Sequence, residues 1–158
     1  MRGALALVGL VLALGPAAGC GEPEREERRE ERLTKEEYVE RADAVCAEYD
    51  RRLDELPQPD SVADVAELAE QAFPIAQEGI RKLRELRPPA ELEPQVEAWL
   101  RLNDDNARNI HRLQEAAEDG DTQRVQEIAS EAADDERRAD ELADEIGLGE
   151  CARREEEG

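Results

Sequence analysis

After residue 33 the apolar residues recur every three or four positions, the signature of one buried face on each of several helices. In the first segment they are Tyr38, Ala42, Val45, Cys46, Tyr49, Leu53 and Leu56. Thr34 with Glu37 three residues on forms a capping box, and Leu33 is placed to staple onto Tyr38. Pro57-Gln58-Pro59 ends this segment. The second starts at Asp60 or Ser61, either of which can cap it, and runs to about Arg87. Its stripe is Val62, Val65, Leu68 or Ala69, Ala72, Ala76, Ile80, Leu83 and Leu86. Pro74 lies inside and predicts a kink, since its ring removes a backbone donor and crowds the preceding turn.

Pro88-Pro89 separates the second segment from a third, firm from Pro94, a residue suited to a first helical turn. A turn of helix can precede it from Ala90. Val96, Trp99, Asn103, Asn106, Ile110, Leu113 and Ala117 share its face, and Gly120 closes it. Asp121 or Thr122 caps the fourth, with Val125, Ile128 or Ala129, Ala132, Ala139, Leu142, Ala143 and Ile146 on one side. Gly147 stands where a left-handed residue ends a helix, and Leu148 is placed to touch Leu142 or Ala143. No stretch alternates at period two. The expected fold is all-α, an antiparallel up-down-up-down four-helix bundle spanning residues 34–151.

The beginning of the chain follows a different pattern. Arg2 precedes an apolar run from Ala4 to Leu14, Gly15-Pro16 breaks it, and Ala17-Ala18-Gly19 lead to Cys20. This is the three-part plan of an export signal, and the apolar run is too short for a transmembrane helix. Ala17-Ala18-Gly19-Cys20 resembles the lipobox of bacterial lipoproteins. That resemblance implies lipid transfer to the Cys20 sulfur, cleavage after residue 19 and acyl chains, such as palmitate, holding the protein to a membrane. Position 17 is Ala where Leu is commoner. The alternative is an ordinary secretory signal cut after Gly19. Two acyl chains give stable anchoring, where one is marginal.

Charge then bears on how the chain meets a membrane. Loss of residues 1–19 removes Arg2 and leaves 42 acidic against 20 basic residues, a formal charge of −22. Such an excess opposes binding to nucleic acid or to anionic lipid, so the expected membrane attachment is the lipid on Cys20. Residues 20–33, with the block Glu22 to Arg32, read as a charged tether; residues 152–158 read as an acidic tail. Charged residues make up 40% of the chain and aromatics 3%, values that approach those of disordered chains. The helical periodicity argues for a folded body.

With Cys20 lipidated, Cys46 and Cys151 are the remaining pair, and an exported compartment permits them to bridge. Five residues from Gly147 to Cys151 span at most roughly 17 Å when extended. That is nearly the whole reach required in an antiparallel bundle, unless the helix ends are offset. A bridge across so long a loop contributes about 4–5 kcal/mol in the chain-entropy description. The alternative has Cys46 as a small buried apolar residue and Cys151 as a free thiol.

Ala42-Asp43-Ala44-Val45-Cys46, the central Leu86-Arg87-Pro88-Pro89 and the late Gly147-Leu148-Gly149-Glu150-Cys151 resemble small secreted helical proteins and lipoproteins of actinobacteria-like genomes. The resemblance covers residues 34–151. It implies fold and export and supplies no catalytic residue.

Candidate chemistry is sparse. His111 is the one histidine, and a di-iron bundle would require Glu three residues before it, where Arg108 stands. Asn103 and Asn106 fall on an apolar face, where a buried amide requires partners. With His111 they outline a possible polar pocket; the alternative is that they pair with other polar residues or set helix register. Glu118-Asp119-Gly120-Asp121 lacks calcium-loop spacing and reads as a helix stop followed by a cap. Ser61 and Ser130 have no evident base partner. Trp99 reads as core, or, if exposed, as a partner-binding anchor. The expectation is therefore a non-catalytic protein, without cofactor or metal, lipid-anchored outside the cytosol. Its bundle binds or spaces an envelope protein or component. The alternative is a module that binds a small ligand or metal through the polar residues of the third segment.

Overall fold

The structure, a computed structural model, describes residues 32–152. The expected export signal, Cys20, the expected tether as far as residue 31 and residues 153–158 of the expected tail lie outside the described residues. Four helices follow one another: α1, Lys35–Asp54; α2, Val62–Glu85; α3, Glu93–Glu118; and α4, Thr122–Ile146. They pack against one another as the expected antiparallel bundle, and the described residues contain no strand.

The helix ends follow from local chemistry. At α1 the Thr34 hydroxyl accepts the Glu37 N–H at 3.2 Å, while the Glu37 carboxylate accepts the Thr34 N–H at 3.0 Å. Ser61 accepts from the Asp64 N–H at 3.2 Å, and Asp121 accepts from the Arg124 N–H at 3.0 Å. Glycine is required at two stops, Gly120 (φ 68°) and Gly147 (φ 97°). After Gly147 the Leu148 N–H reaches back to the Ala143 carbonyl at 2.8 Å, the hydrogen bond of a Schellman ending. Leu148 is fully buried against the core.

Helix α2 is continuous through Pro74. Its fourth-from-last carbonyl partner, on Glu70, goes without that N–H, and exposure of Pro74 leaves it open to water. Helix α1 stops at Asp54, two residues short of the last apolar position expected for it, because Pro57 disfavours helical backbone at Leu56. Leu56 instead closes a turn onto the Leu53 carbonyl at 3.0 Å.

The core has two parts. The larger gathers Tyr38, Ala42 and Cys46 of α1 with Leu83, Val96, Trp99, Ala143, Ile146 and Leu148. The smaller centres on Ala76, Ile80 and Ala107, with Tyr49, Phe73 and Ile110 packed against it. Arg32 and Leu33, expected in the tether, belong to the body. The Arg32 guanidinium donates to the Pro88 carbonyl at 3.0 Å and pairs with Glu93 at 2.9 Å, and the Leu33 N–H donates to the Arg87 carbonyl at 2.9 Å. Ala152, expected in the tail, is buried in the larger core.

Cys46 and Cys151 form a disulfide, with 5.1 Å between their Cα atoms. Full extension of the connecting segment is not required. The Ala152 N–H donates to the Leu148 carbonyl at 3.2 Å, closing a turn over these residues. Ile146 and Leu148 share a core with Ala42 and Cys46. The Glu150 N–H adds a hydrogen bond to the Asp43 carboxylate at 3.0 Å.

Candidate functional site: a cavity between the two parts of the core

Between the two apolar clusters lies a cavity of about 270 Å³. Its cause can be read in the residues that face it. Gly79, Ala76, Ala107, Ala132 and Ala139 line it, and side chains this small leave space unfilled where helices are held apart by larger neighbours. Ile80, Leu83, Trp99, Ile110 and Leu113 form much of the apolar wall, and the Cys46–Cys151 disulfide contributes to it as well. A volume just below the roughly 300–1,000 Å³ range of ligand pockets suits only a small guest.

Polar groups enter this apolar space at few places. Asn103 and Asn106 both line it, as expected for residues 60° apart on one helix face. Asn103 donates from Nδ2 to the Trp99 carbonyl at 2.9 Å, a bond within its own helix. The Asn106 Oδ1 is buried and has no hydrogen-bond partner among the described residues. An acceptor in that condition costs about 1–3 kcal/mol relative to a paired one. Four carboxylates also line the cavity, Asp50 from α1, Glu136 and Asp140 from α4, and Glu150 from the C-terminal turn. None of the lining residues is Lys, Arg or His. Asp50 and Glu150, with Leu53, also line a shallower groove on the surface, so they stand where cavity and groove meet.

The sequence brought Asn103 and Asn106 together with His111, but His111 is elsewhere. It is exposed, packs edge-on against Phe73 with ring centroids 5.5 Å apart, and lies 3.8 Å from Glu115. Five residues on from Asn106, it is turned about 140° around the helix axis, away from the cavity. Trp99 is 2% exposed. It is a core residue and part of the cavity wall, so it cannot serve as a surface anchor for a partner.

Asn109, which the apolar pattern does not mark, is the one buried polar residue among the described residues, 5% exposed. It accepts from Arg112 at 2.8 Å and donates to Asp135 at 3.4 Å. The contacts are local and across to α4, consistent with a packing role. The available signal was its position three residues after Asn106, on the side of α3 that α4 covers. The acidic lining was also missed, because Asp50, Glu136, Asp140 and Glu150 sit among many other carboxylates in the sequence. Glu118, Asp119 and Gly120 form the end of α3 and Asp121 caps α4, as the spacing implied. No cluster of metal-ligating side chains occurs among the described residues, nor any helix long and apolar enough to cross a membrane.

No protein-family model, curated protein or solved structure matches the chain.

Proposed function

We propose that this chain is an exported lipoprotein, held at a membrane through lipid on Cys20, whose helical bundle is a non-catalytic module binding a small, largely apolar ligand. The cavity of about 270 Å³ between the helices carries the reading. It favours ligand binding over a docking or spacing domain, because Trp99, the candidate surface anchor, faces inward. The export half rests on Arg2, the apolar run from Ala4 to Leu14 and the Ala17-Ala18-Gly19-Cys20 sequence. A disulfide between Cys46 and Cys151 suits a compartment where thiols are oxidised.

The binding half is tested by thermal unfolding of the full chain with cyclohexanol as a neutral apolar probe. A rise in Tm is expected, since a ligand that binds only the folded state stabilises it by mass action. Ala132→Leu, which fills part of the cavity, is expected to cut that rise by half or more while leaving the helical circular dichroism intact. No rise in the unsubstituted protein would refute ligand binding at this site. The export half is tested by the intact mass of protein from the membrane fraction, where a lipid-modified N-terminus at Cys20 is expected and an unprocessed Met1 would contradict it.

A further inference from the structure

We infer that residues 149–152 form a strap across the cavity, latched by the Cys46–Cys151 disulfide and released by thiol–disulfide exchange with a dithiol. This rests on the cavity being a ligand site and names the way that site is opened. Close backbone packing joins α1 to α2, α2 to α3 and α3 to α4. Among the described residues α1 and α4, the pair that completes a four-helix ring, have no comparable approach. The C-terminal turn stands in that seam. It leaves α4 at Gly147, its Cys151 is bonded to Cys46 of α1, and its Glu150 N–H donates to the Asp43 carboxylate of α1 at 3.0 Å. Glu150 and Cys151 line the cavity on one side, and Gly149, Glu150 and Ala152 line the surface groove on the other. The strap is thus the partition between the two spaces.

One end of the strap is firm. Leu148 is fully buried, and Gly147 before it holds the left-handed backbone that ends α4. Beyond Leu148 the grip is lighter. Gly149 and Glu150 are exposed, and the small side chain of Ala152 seats the far end in the core beside the bridge. A short segment with little buried apolar surface and an exposed hydrogen bond opens locally once its covalent link is gone. That link can be attacked from one side. Cys46 is 8% exposed and Cys151 is half-buried, so an incoming thiolate reaches the Cys151 Sγ. A mixed disulfide forms on Cys151 while Cys46 leaves as a thiolate and takes up a proton. The second thiolate of the dithiol then displaces Cys151, which is protonated in turn. The dithiol ends as a disulfide, having passed two electrons and two protons to the protein. Cavity and groove then join along the seam, and a guest leaves without the helices parting.

The test compares the full chain oxidised and after reduction by dithiothreitol, with cyclohexanol as the guest. Amide hydrogen exchange and circular dichroism follow the protein, and NMR line shapes follow the guest. Reduction is expected to speed exchange of the Glu150 and Ala152 N–H at least tenfold. The helical circular dichroism is expected to persist, with the Ile128 amide still protected, and the cyclohexanol exit rate to rise at least fivefold. Cys46→Ala/Cys151→Ala is expected to show the fast exit without dithiothreitol and to respond no further to it. Strap amides as protected after reduction as before overturn the inference. Helices that melt on reduction also overturn it, since the bridge is then a staple for the whole bundle. A strap that opens while the exit rate stays unchanged overturns the gate and leaves the ligand site standing. Absence of cyclohexanol binding in both states overturns the site, and the gate with it.

Discussion

Two side-chain polar atoms are buried without partners among the described residues, the Tyr38 hydroxyl and the Asn106 Oδ1, and they have different meanings. Asn106 borders a cavity that a guest can enter. Tyr38 is fully buried in the packed part of the core, so its hydroxyl is a packing compromise. Burial pushes its phenol up to about 12 from 10. The unfolded chain therefore loses this proton at lower pH than the folded one does. The resulting contribution to stability is complete below pH 10 and disappears as pH rises toward 12, a loss of roughly 2–3 kcal/mol at 1.36 kcal/mol per unit. Tyr38→Phe is expected to remove that part of the alkaline decline and to raise stability near neutrality by about 1 kcal/mol, since no hydrogen bond is lost. Urea unfolding at pH 7 and at several pH values between 9 and 12 checks both. A loss of stability in the variant at pH 7 would show that the hydroxyl is paired after all. At this scale the sequence was informative about Asn103 and Asn106, because an amide interrupts an apolar stripe visibly. It was silent on Tyr38, whose missing partner depends on what packs around it.

Among elements, the helix limits were the most legible part, because caps and stops are local chemistry. Thr34 with Glu37, Ser61, Asp121 and Gly147 act where the sequence placed them. Gly147→Ala is expected to destabilise the protein by about 1–2 kcal/mol, as a left-handed residue acquires a Cβ. The nearest atom to that Cβ is the flexible Lys35 Cε at 3.9 Å, so the effect belongs to the backbone, and a loss under about 0.3 kcal/mol in urea unfolding would show that the chain has another way to end α4.

Between α1 and α2, Glu78 pairs with Arg52 at 2.8 Å and with Lys82 at 3.0 Å. Its hydrogen bond from Arg52, then that from Lys82, lower its pKa from 4.5 to about 2. Its contribution is present above pH 4.5 and is lost as pH falls toward 2. Glu78→Gln is expected to flatten the change of Tm over that interval, and an unaltered acid profile would show that the pair contributes nothing. Sequence could not supply this link, since Arg52 and Glu78 are 26 residues apart and only the packed helices bring them together.

For the whole molecule, four amphipathic stripes and short connections made the bundle readable, and two cysteines left over beside Cys20 made the bridge readable. The void was not. Apolar periodicity marks which side of a helix faces inward, but whether facing side chains fill the space depends on registers that only three dimensions fix. Ala76, Ala132 and Ala139 read as ordinary core positions until they meet, with Ala107, around one opening. The bridge spans 105 residues and fastens the C-terminal turn, which carries Glu150, against α1. Reduction, or Cys46→Ala/Cys151→Ala, is expected to lower stability by about 4 kcal/mol, read as a shift of the urea midpoint. An unchanged midpoint would mean that the turn is held by its other contacts alone.

Whether the space between the helices takes a guest is tested directly by methyl-resolved NMR of the full chain titrated with cyclohexanol. The methyls of Ile80, Leu83 and Ile110, which line the cavity, are expected to shift and saturate together, with those of Ile128, buried outside the cavity lining, unmoved. Shifts that never saturate or that spread evenly over the surface, or none at all, would contradict it.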